Sequence, residues 1–279
     1  GSVGDTNGSR ISLTNVRVAS FDNNIVINYA WIITFTHVFP VSARSAGVLL
    51  TGNNANAITW SGGEAVGNTY GMLIDCTTAE HDSITCVGVT FEGNARHGIK
   101  VSGASFPRYV QGLSLLGCYF EANWSTDDTN ADACDVLIEG ALHQGVVVKG
   151  CRFQTTRTSL DIDGSTKPVI EGNVFRPTAR CVVLGADCSY PHVGTNVYHS
   201  GTAITDNSST GPRLGLGVGA VSPSATLHVD GAVRSGQYAT ASRPSAATVG
   251  AGAMVYDSTL SIPVWSNGTV WKDAAGTTV

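Results

Sequence analysis

A short pattern recurs along the first two hundred residues and limits the fold more than any other feature of this sequence. It is an alternating apolar strand, followed by Gly or Asn and then by an aromatic residue. Clear copies are ITCVGVTF at 84–91, LSLLGCYF at 113–120, VVVKGCRF at 146–153, PVIEGNVF at 168–175 and PHVGTNVY at 191–198. Weaker copies are ISLTNVRV at 11–18, ITFTHVFP at 33–40 and ITWSGGEA at 58–65. Such a repeat indicates a stack of similar structural units.

The spacing of the copies predicts a solenoid. Successive copies begin 22, 25, 26, 29, 33, 22 and 23 residues apart. A second apolar strand follows each first one: IVIN at 25–28, VLLT at 48–51, MLID at 72–75, IKVS at 99–102, VLIE at 136–139, LDID at 160–163, VVLG at 182–185 and AITD at 203–206. One coil cannot bury its inner face alone, so coils are expected to stack about 4.8 Å apart around a continuous core. The sequence therefore predicts an all-β fold, a right-handed parallel β-helix of about eight coils.

The same alternation predicts what lies inside the solenoid. Phe91, Phe120, Phe153, Phe175 and Tyr198 are expected to form an inward aromatic stack, with Cys118 and Cys151 beside it. The chain has seven cysteines, an odd number, and no CxxC pair, which disfavours a metal cluster and a complete set of disulfides. We therefore expect buried, reduced thiols that pack as small hydrophobic groups and suit a chain that folds in a reducing cytoplasm.

Charge and hydropathy exclude two classes of protein. The net charge is −5 and no basic stripe is present, so binding to nucleic acid is not expected. No apolar run approaches ~18 residues, so no membrane span is predicted. The chain begins Gly1-Ser2, without Met or a signal peptide, and we expect the native protein to extend upstream.

The repeat stops near Asp206, and a different segment follows. The stretch NSSTGP at 207–212 has the composition of a linker. The sequence predicts three parts: a β-helix body at 1–206, a linker at 207–213 and a small β-rich tip at 214–279. Residues Val255, Ile262, Val264, Trp265, Val270 and Trp271 have few apolar partners in their own segment, so we expect association of chains to bury them. The alternative is a tip that caps the open end of its own solenoid.

Two C-terminal stretches resemble segments of phage tail fibres and tail spikes. They are SPSATLHVDG at 222–231 and VYDSTLSIPVWSNGTVWKDAAG at 255–276, and the GxxFExN motifs at 88–94 and 117–123 resemble the pectate-lyase-like body of tail spikes. The resemblance covers nearly the whole chain. It implies a homotrimer in a virion tail, joined to other tail proteins through its N-terminal part. It also implies adsorption to a bacterial surface polysaccharide, namely a capsule, lipopolysaccharide or exopolysaccharide.

The best candidate for a catalytic pair is Glu92 with Glu121, which follow the core aromatic in successive coils. A glycosidase needs two carboxylates, and equivalent outward positions of adjacent coils lie about 4.8 Å apart. Their column continues as Gln154, Arg176 and His199, which are candidates for binding a glycan. The alternative is that both glutamates are ordinary solvated positions at strand ends.

A second candidate pair is Asp161 with Asp163, which leave the same face of one strand at about 6.5–7 Å, with Glu139 one coil earlier. That separation suits an inverting pair, although a polar outer face of a strand is the favoured explanation. Trp124 opens an acidic loop that extends to residue 132, where an aromatic ring can stack on sugar and Asp and Asn oxygens can hold calcium. The loop lacks the spacing of a defined calcium site, so no metal and no cofactor are predicted.

Three functions remain open at this point. The first is a virion protein that recognises host polysaccharide, and the second is the same scaffold with depolymerase activity, as a glycoside hydrolase or lyase. The third is a polysaccharide-degrading enzyme of pectate-lyase-like fold outside any virion. The C-terminal motifs favour the first two, whereas fold alone does not decide between binding and catalysis.

Overall fold

The computed structural model describes residues 10–52, 54–103, 108–124, 134–140, 142–176, 179–199, 202–208 and 234–279. The chain divides into two compact units, Gly1–Ser222 and Pro223–Val279. Most of the predicted linker at 207–213 and the start of the predicted tip lie outside the described residues, so their bounds stay predictions.

The first unit is built of short strands. In the first five coils they are β1 (Ile11–Ala19), β2 (Ile25–Ile27), β3 (Ala30–Val41), β4 (Ala46–Leu50), β5 (Ala55–Val66), β6 (Tyr70–Asp75), β7 (His81–Val87), β8 (Thr90–Glu92), β9 (His97–Ser102), β10 (Val110–Leu116), β11 (Tyr119–Glu121) and β12 (Cys134–Ile138). The later coils contain β13 (His143–Gln144), β14 (Val147–Lys149), β15 (Arg152–Gln154), β16 (Thr158–Ile162), β17 (Ser165–Thr166), β18 (Val169–Glu171), β19 (Val174–Phe175), β20 (Arg180–Leu184), β21 (His192–Val193), β22 (Val197–Tyr198) and β23 (Thr202–Asp206).

These strands pair in parallel and give the unit three faces. The first face contains the first halves of β1, β3 and β5, followed by β7, β10, β14, β18 and β21. The second face contains the second halves of those three long strands, followed by β8, β11, β15, β19 and β22. The third face is a separate eight-stranded sheet in the order β2-β4-β6-β9-β12-β16-β20-β23. A parallel β-helix followed by a small C-terminal sheet confirms the predicted fold class.

The strand pairing confirms the predicted register along the first face. Ile11 pairs with Ile33, Ile33 with Ile58, Ile58 with Ile84 and Ile84 with Leu113, which are the first residues of successive copies. The last copy of the second strand differs from the prediction by one residue. Val182 pairs with Ile204, whereas the predicted strand begins at residue 203.

The Gly of the repeat marks the corner between the first and second faces. Gly117 has a φ of 61°, and a Cβ built there would meet nothing within 4 Å. The residue is therefore glycine because of its left-handed backbone and not because space is short. Asn15 and His37 adopt the same conformation in the first two coils, with φ of 55° and 50°. Gly98 serves packing instead, because a Cβ there would lie 3.0 Å from Phe120 Cδ1.

The predicted aromatic stack fills the interior beneath the second face. Ring centroids of Phe91, Phe120, Phe153, Phe175 and Tyr198 follow one another at 5.1, 4.8, 4.9 and 5.5 Å. The rings lie within 9° of parallel. Because similar side chains stack at the spacing of the strands, each ring packs on the next without a change of rotamer.

The seven cysteines are buried and form no disulfide, as predicted. Several of them donate to backbone carbonyl groups; for example, Cys118 Sγ lies 3.4 Å from the Cys86 carbonyl oxygen, and Cys151 Sγ lies 3.3 Å from that of Leu115. Burial raises the pKa of Cys76 to about 12, and the nearby charge of Asp75 adds to this effect. Buried thiols with raised pKa values are chemically inert.

A polar ladder runs beside the rings. Asn68 Nδ2 donates to Asn94 Oδ1 at 3.0 Å, Asn94 Nδ2 donates to Asn123 Oδ1 at 2.7 Å, and Asn123 Nδ2 donates to Asp135 Oδ1 at 2.9 Å. Asp135 is fully buried, and its Oδ2 has no hydrogen-bond partner in the described part of the chain. Burial raises the pKa of Asp135 to about 7, although the hydrogen bond from Asn123 opposes this shift. The ladder therefore ends on a carboxyl group that is easily protonated.

The third face is apolar on its outer side as well. The outward column contains Val26, Leu49, Leu73, Leu137 and Val183, with Lys100 and Asp161 between them. Val26 is 40% exposed, whereas Leu137 and Val183 are buried. Continuous apolar runs are typical of parallel strands that are covered on both sides.

The second unit forms a small sheet with its own core. It contains strands β24 (Gln237–Tyr238), β25 (Ala251–Asp257), β26 (Ile262–Asn267) and β27 (Trp271–Lys272), a 3-10 helix at Thr240–Ser242 and a helix α1 at Ala246–Val249. Val255, Val264 and Trp271 pack with Ala246. The expectation that these three side chains lack partners in their own segment was therefore wrong. Outward-facing Met254 and Tyr256 remain exposed.

A buried ion pair stabilises the second unit. Arg243 Nε lies 3.1 Å from Asp257 Oδ2, and both side chains are nearly inaccessible to water. Asp257 also accepts bonds from the Thr240 hydroxyl and from the backbone N–H groups of Thr259 and Leu260. Burial alone would raise the pKa of Asp257, but these hydrogen bonds and the charge of Arg243 lower it.

Candidate functional site

The second face presents a row of acidic and polar side chains. Glu92 pairs with Glu121, and Glu121 pairs with Gln154, so the three lie on adjacent strands at one register position. The column continues to Arg176 and His199, whose backbone N–H groups bond to Phe153 and Phe175. All five residues point outward, because the aromatic residue before each of them points inward. The column spans about 19 Å from Glu92 to His199, at about 4.8 Å per coil.

Hydrogen bonds fix the carboxylate of Glu121. Tyr119 Oη donates to Glu121 Oε2 at 2.5 Å, and Gln154 Nε2 donates to Glu121 Oε1 at 3.1 Å. Arg152 reaches Gln154 Oε1 at 3.3 Å, and its guanidinium lies 5.8 Å from the centroid of the Tyr119 ring. Both carboxylate oxygens of Glu121 are therefore held, which fixes the direction in which the group faces a ligand.

The electrostatics distinguish the two glutamates. Burial raises the pKa of Glu92, and the charges of Glu121 and Glu64 raise it further. Burial, together with the hydrogen bond to Glu121, raises the pKa of Tyr119 to about 12. A carboxyl group with a raised pKa, beside a carboxylate that is held by two donors, is an arrangement suited to general acid and base chemistry on a sugar.

Sequence reasoning missed three members of this site, which are Glu64, Tyr119 and Arg152. Glu64 pairs with Thr90, which pairs with Tyr119, which in turn pairs with Arg152. They form a second outward column two residues before the first one. The signal was present in the sequence, because the register that joins residues 58 and 84 also joins residues 64 and 90. We refer to Glu64, Glu92 and Glu121 as the acidic strip.

Trp124 lies just beyond this row. It follows the buried Asn123, and the guanidinium of Arg157 lies 5.1 Å from the centroid of its ring. One face of the indole is thus engaged in a cation–π contact. Residues 125–133, where the acidic loop and its weak calcium signal fall, lie outside the described residues. Among the residues that the structure describes, no group of three or more His, Cys, Asp or Glu side chains is arranged to hold a metal ion.

The second predicted pair lies on a different sheet. Asp161 pairs with Leu137 and Val183 on the third face, and Asp163 follows the end of the same strand. Glu139 is engaged by Lys100, with 2.8 Å between Nζ and Oε2. The structure therefore does not join Asp161 and Asp163 with Glu92 and Glu121 in one site.

Comparison with known proteins relates the chain to a solved tailspike structure. No family model matches the chain, and no curated protein matches it in sequence. The chain is similar to tailspike protein 3 of bacteriophage CBA120, with a TM-score of 0.36 and 15% sequence identity. The similarity covers 94% of this chain and 55% of the tailspike, so the chain spans about half of that protein's length. The β-helix itself is established by the strand pairing. In the described ranges, no helix is long and apolar enough to cross a membrane.

Proposed function

We propose that the chain is part of a phage tail spike and recognises a polysaccharide of the bacterial surface through the row on its second face. The single observation that carries this proposal is the column from Glu92 to His199. In it, acid, amide, guanidinium and imidazole groups follow one another on successive coils. Sugar hydroxyl groups are both donors and acceptors, and such a row offers complementary partners for them. In the virion, other tail proteins would join the N-terminal part.

The test is binding to a panel of capsule, lipopolysaccharide O-chain and exopolysaccharide preparations. The variant Glu121→Gln removes a charged acceptor that is already oriented by two donors, so we expect about tenfold weaker binding. Glu80→Gln, between β6 and β7 and away from this row, is the matched control and is expected to bind normally. If Glu121→Gln binds the selected polysaccharide as tightly as the unaltered chain, the second face is not the recognition surface.

Depolymerase activity is a second candidate function, favoured by the raised pKa of Glu92 next to Glu121. In this reaction Glu92 would donate a proton to the glycosidic oxygen, and Glu121 would act as the nucleophile or base. Release of reducing ends from the bound polysaccharide measures it. Loss of release in both Glu92→Gln and Glu121→Gln, with binding by Glu92→Gln retained, supports this assignment. Activity that survives both changes excludes them as the catalytic pair.

We further propose that three chains associate. The outer column of the third face supports this, because Val26 and its apolar neighbours form a surface suited to a second protein surface. Exposed Met254 and Tyr256 offer a similar surface on the second unit. Light scattering of the intact chain should give a mass three times 28.9 kDa. A mass of one chain would contradict this proposal and favour a free-standing polysaccharide-degrading enzyme.

A further inference from the structure

A groove on the first face lies apart from the acidic strip. It has a volume of about 510 Å³ and is lined by Lys167, Val169, Tyr190 and His192. These residues come from two successive coils and occupy matching positions. Val169 pairs with His192. The Lys167 N–H donates to the Ser189 carbonyl oxygen at 2.7 Å, so Lys167 lies beside Tyr190. The floor is apolar, and the rim carries an ammonium, a phenol and an imidazole.

The rim residues hold the corner at which the chain enters the first face. Lys167 and Tyr190 have left-handed φ of 55° and 51°. The preceding coils have left-handed backbone at the same corner, at Ile32, Ala57, Ser83, Gly112 and Gly145. The conformation therefore belongs to the coil, and it places the two rim residues in matching positions. Tyr190 is 49% exposed, so its ring is accessible at the rim.

The charge of the groove indicates an anionic ligand. Lys167 forms no ion pair with any described residue, whereas the nearest lysine on this face, Lys149, is paired with Glu171 at 3.2 Å. Glu171 approaches the groove from the side of His192, but Lys149 partly neutralises it. Among the described residues, the Lys167 ammonium has no carboxylate partner and lines the groove together with an imidazole, which favours a carboxylate ligand at this position.

We infer that this groove binds an acidic sugar unit of a polysaccharide, with Lys167 and His192 donating to its carboxylate. Tyr190 supplies an amphipathic ring at the rim and Val169 an apolar floor for the sugar ring. Binding here does not depend on the acidic strip, because the two surfaces lie on different faces and use different residues.

The probes are a tetrasaccharide of glucuronic acid and its carboxyl-reduced form, which differ only in the carboxylates. Isothermal titration of the intact chain should show at least about tenfold tighter binding of the acidic probe, and this preference should shrink in high salt. Lys167→Gln should weaken binding of the acidic probe about tenfold. Arg44→Gln removes one positive charge on a distant coil and should leave the affinity unchanged.

A folding control separates lost binding from lost structure. Lys167→Gly places at this corner the residue found in the two preceding coils. The thermal unfolding midpoint of this variant should therefore not fall, whereas its binding of the acidic probe should be lost. Equal affinity for the two probes, no binding of either, or full binding by Lys167→Gln would overturn the assignment. Unchanged polysaccharide binding by Glu121→Gln would overturn the proposed function and would leave the assignment of the groove standing.

Discussion

The two units of this chain are stabilised in different ways. In the β-helix, five successive coils each contribute an inward aromatic ring, and the stack from Phe91 to Tyr198 has no single centre. The second unit has a core of a few side chains around one buried ion pair, Arg243 with Asp257. Repeat proteins sum many neighbour contacts, whereas a small unit depends on each contact that it has. The same kind of substitution should therefore have unequal consequences in the two units.

The largest effect is expected from Trp271→Ala. Truncation of a buried tryptophan costs about 3–5 kcal/mol, which matches the whole stability that a core of this size supplies. We expect the second unit to unfold, with loss of amide-exchange protection over Ala251–Asn267, while the strands of the β-helix stay protected. Leu260→Ala, at an exposed position, is the control and should keep that protection. Retained protection in Trp271→Ala would contradict the dependence on this small core.

Phe120→Ala tests the opposite behaviour in the middle of the stack. The side chain is fully buried between Phe91 and Phe153, so its removal should cost about 3–5 kcal/mol as well. Because the neighbouring coils still pair, we expect a lower urea midpoint with the β-rich circular dichroism spectrum retained. Val197→Ala, on the exposed side of the same face, should change stability by less than about 0.5 kcal/mol. An unfolded Phe120→Ala chain would show that stability is not distributed over the coils.

Asp135→Asn tests the buried polar ladder of the β-helix, for comparison with the ion pair of the second unit. Its effect on the free energy of unfolding should be smaller and should depend on pH. The raised pKa of Asp135 means that its contribution to stability is fully present below about 3.8 and is lost as pH rises through about 7. The amide cannot ionise, so the variant should gain about 2–4 kcal/mol relative to the unaltered chain between pH 5 and pH 8. Urea unfolding at both pH values measures this difference.

Asp257→Asn is the matched change in the second unit and should have the opposite sign. The lowered pKa of Asp257 means that its contribution is present above its ordinary pKa and is lost as pH falls through the lowered value. The variant should therefore be less stable than the unaltered unit at neutral pH.

A difference between Asp135→Asn and the unaltered chain that stays constant from pH 5 to pH 8 would show that Asp135 does not titrate in the fold.

The parts of the fold that were predictable follow from the repeat. Inward positions must be apolar and each corner needs a left-handed residue, so the alternation and the position of Gly117 are enough to predict the register. The row from Glu92 to His199 follows from the same register. The strand predicted at 203–206 lies within β23, but Ile204 and not Ala203 aligns with the first residues of the earlier copies. Either start satisfies a short apolar run, so the sequence does not distinguish them.

Other features depend on contacts between coils that no local pattern records. Asp135 looks like the end of a polar loop, yet it is buried and accepts a hydrogen bond from Asn123, which lies across that loop in the same coil. The core of the second unit was missed because Val255 and Trp271 are brought together by antiparallel pairing through β26, which no local motif indicates. The groove at Lys167 and Tyr190 arises only when two coils are superposed.

The buried thiols can report the order in which the β-helix opens. Cysteines occur at intervals from Cys76 to Cys188, and none occurs in the 91 residues after Cys188 that end the printed sequence. An alkylating reagent can modify a position only while the surrounding coil is open, so the order in which the seven sites become labelled during a denaturant pulse records the order of opening along the solenoid. Mass spectrometry of such a series would give the route of unfolding from the native side chains, with no engineered probe.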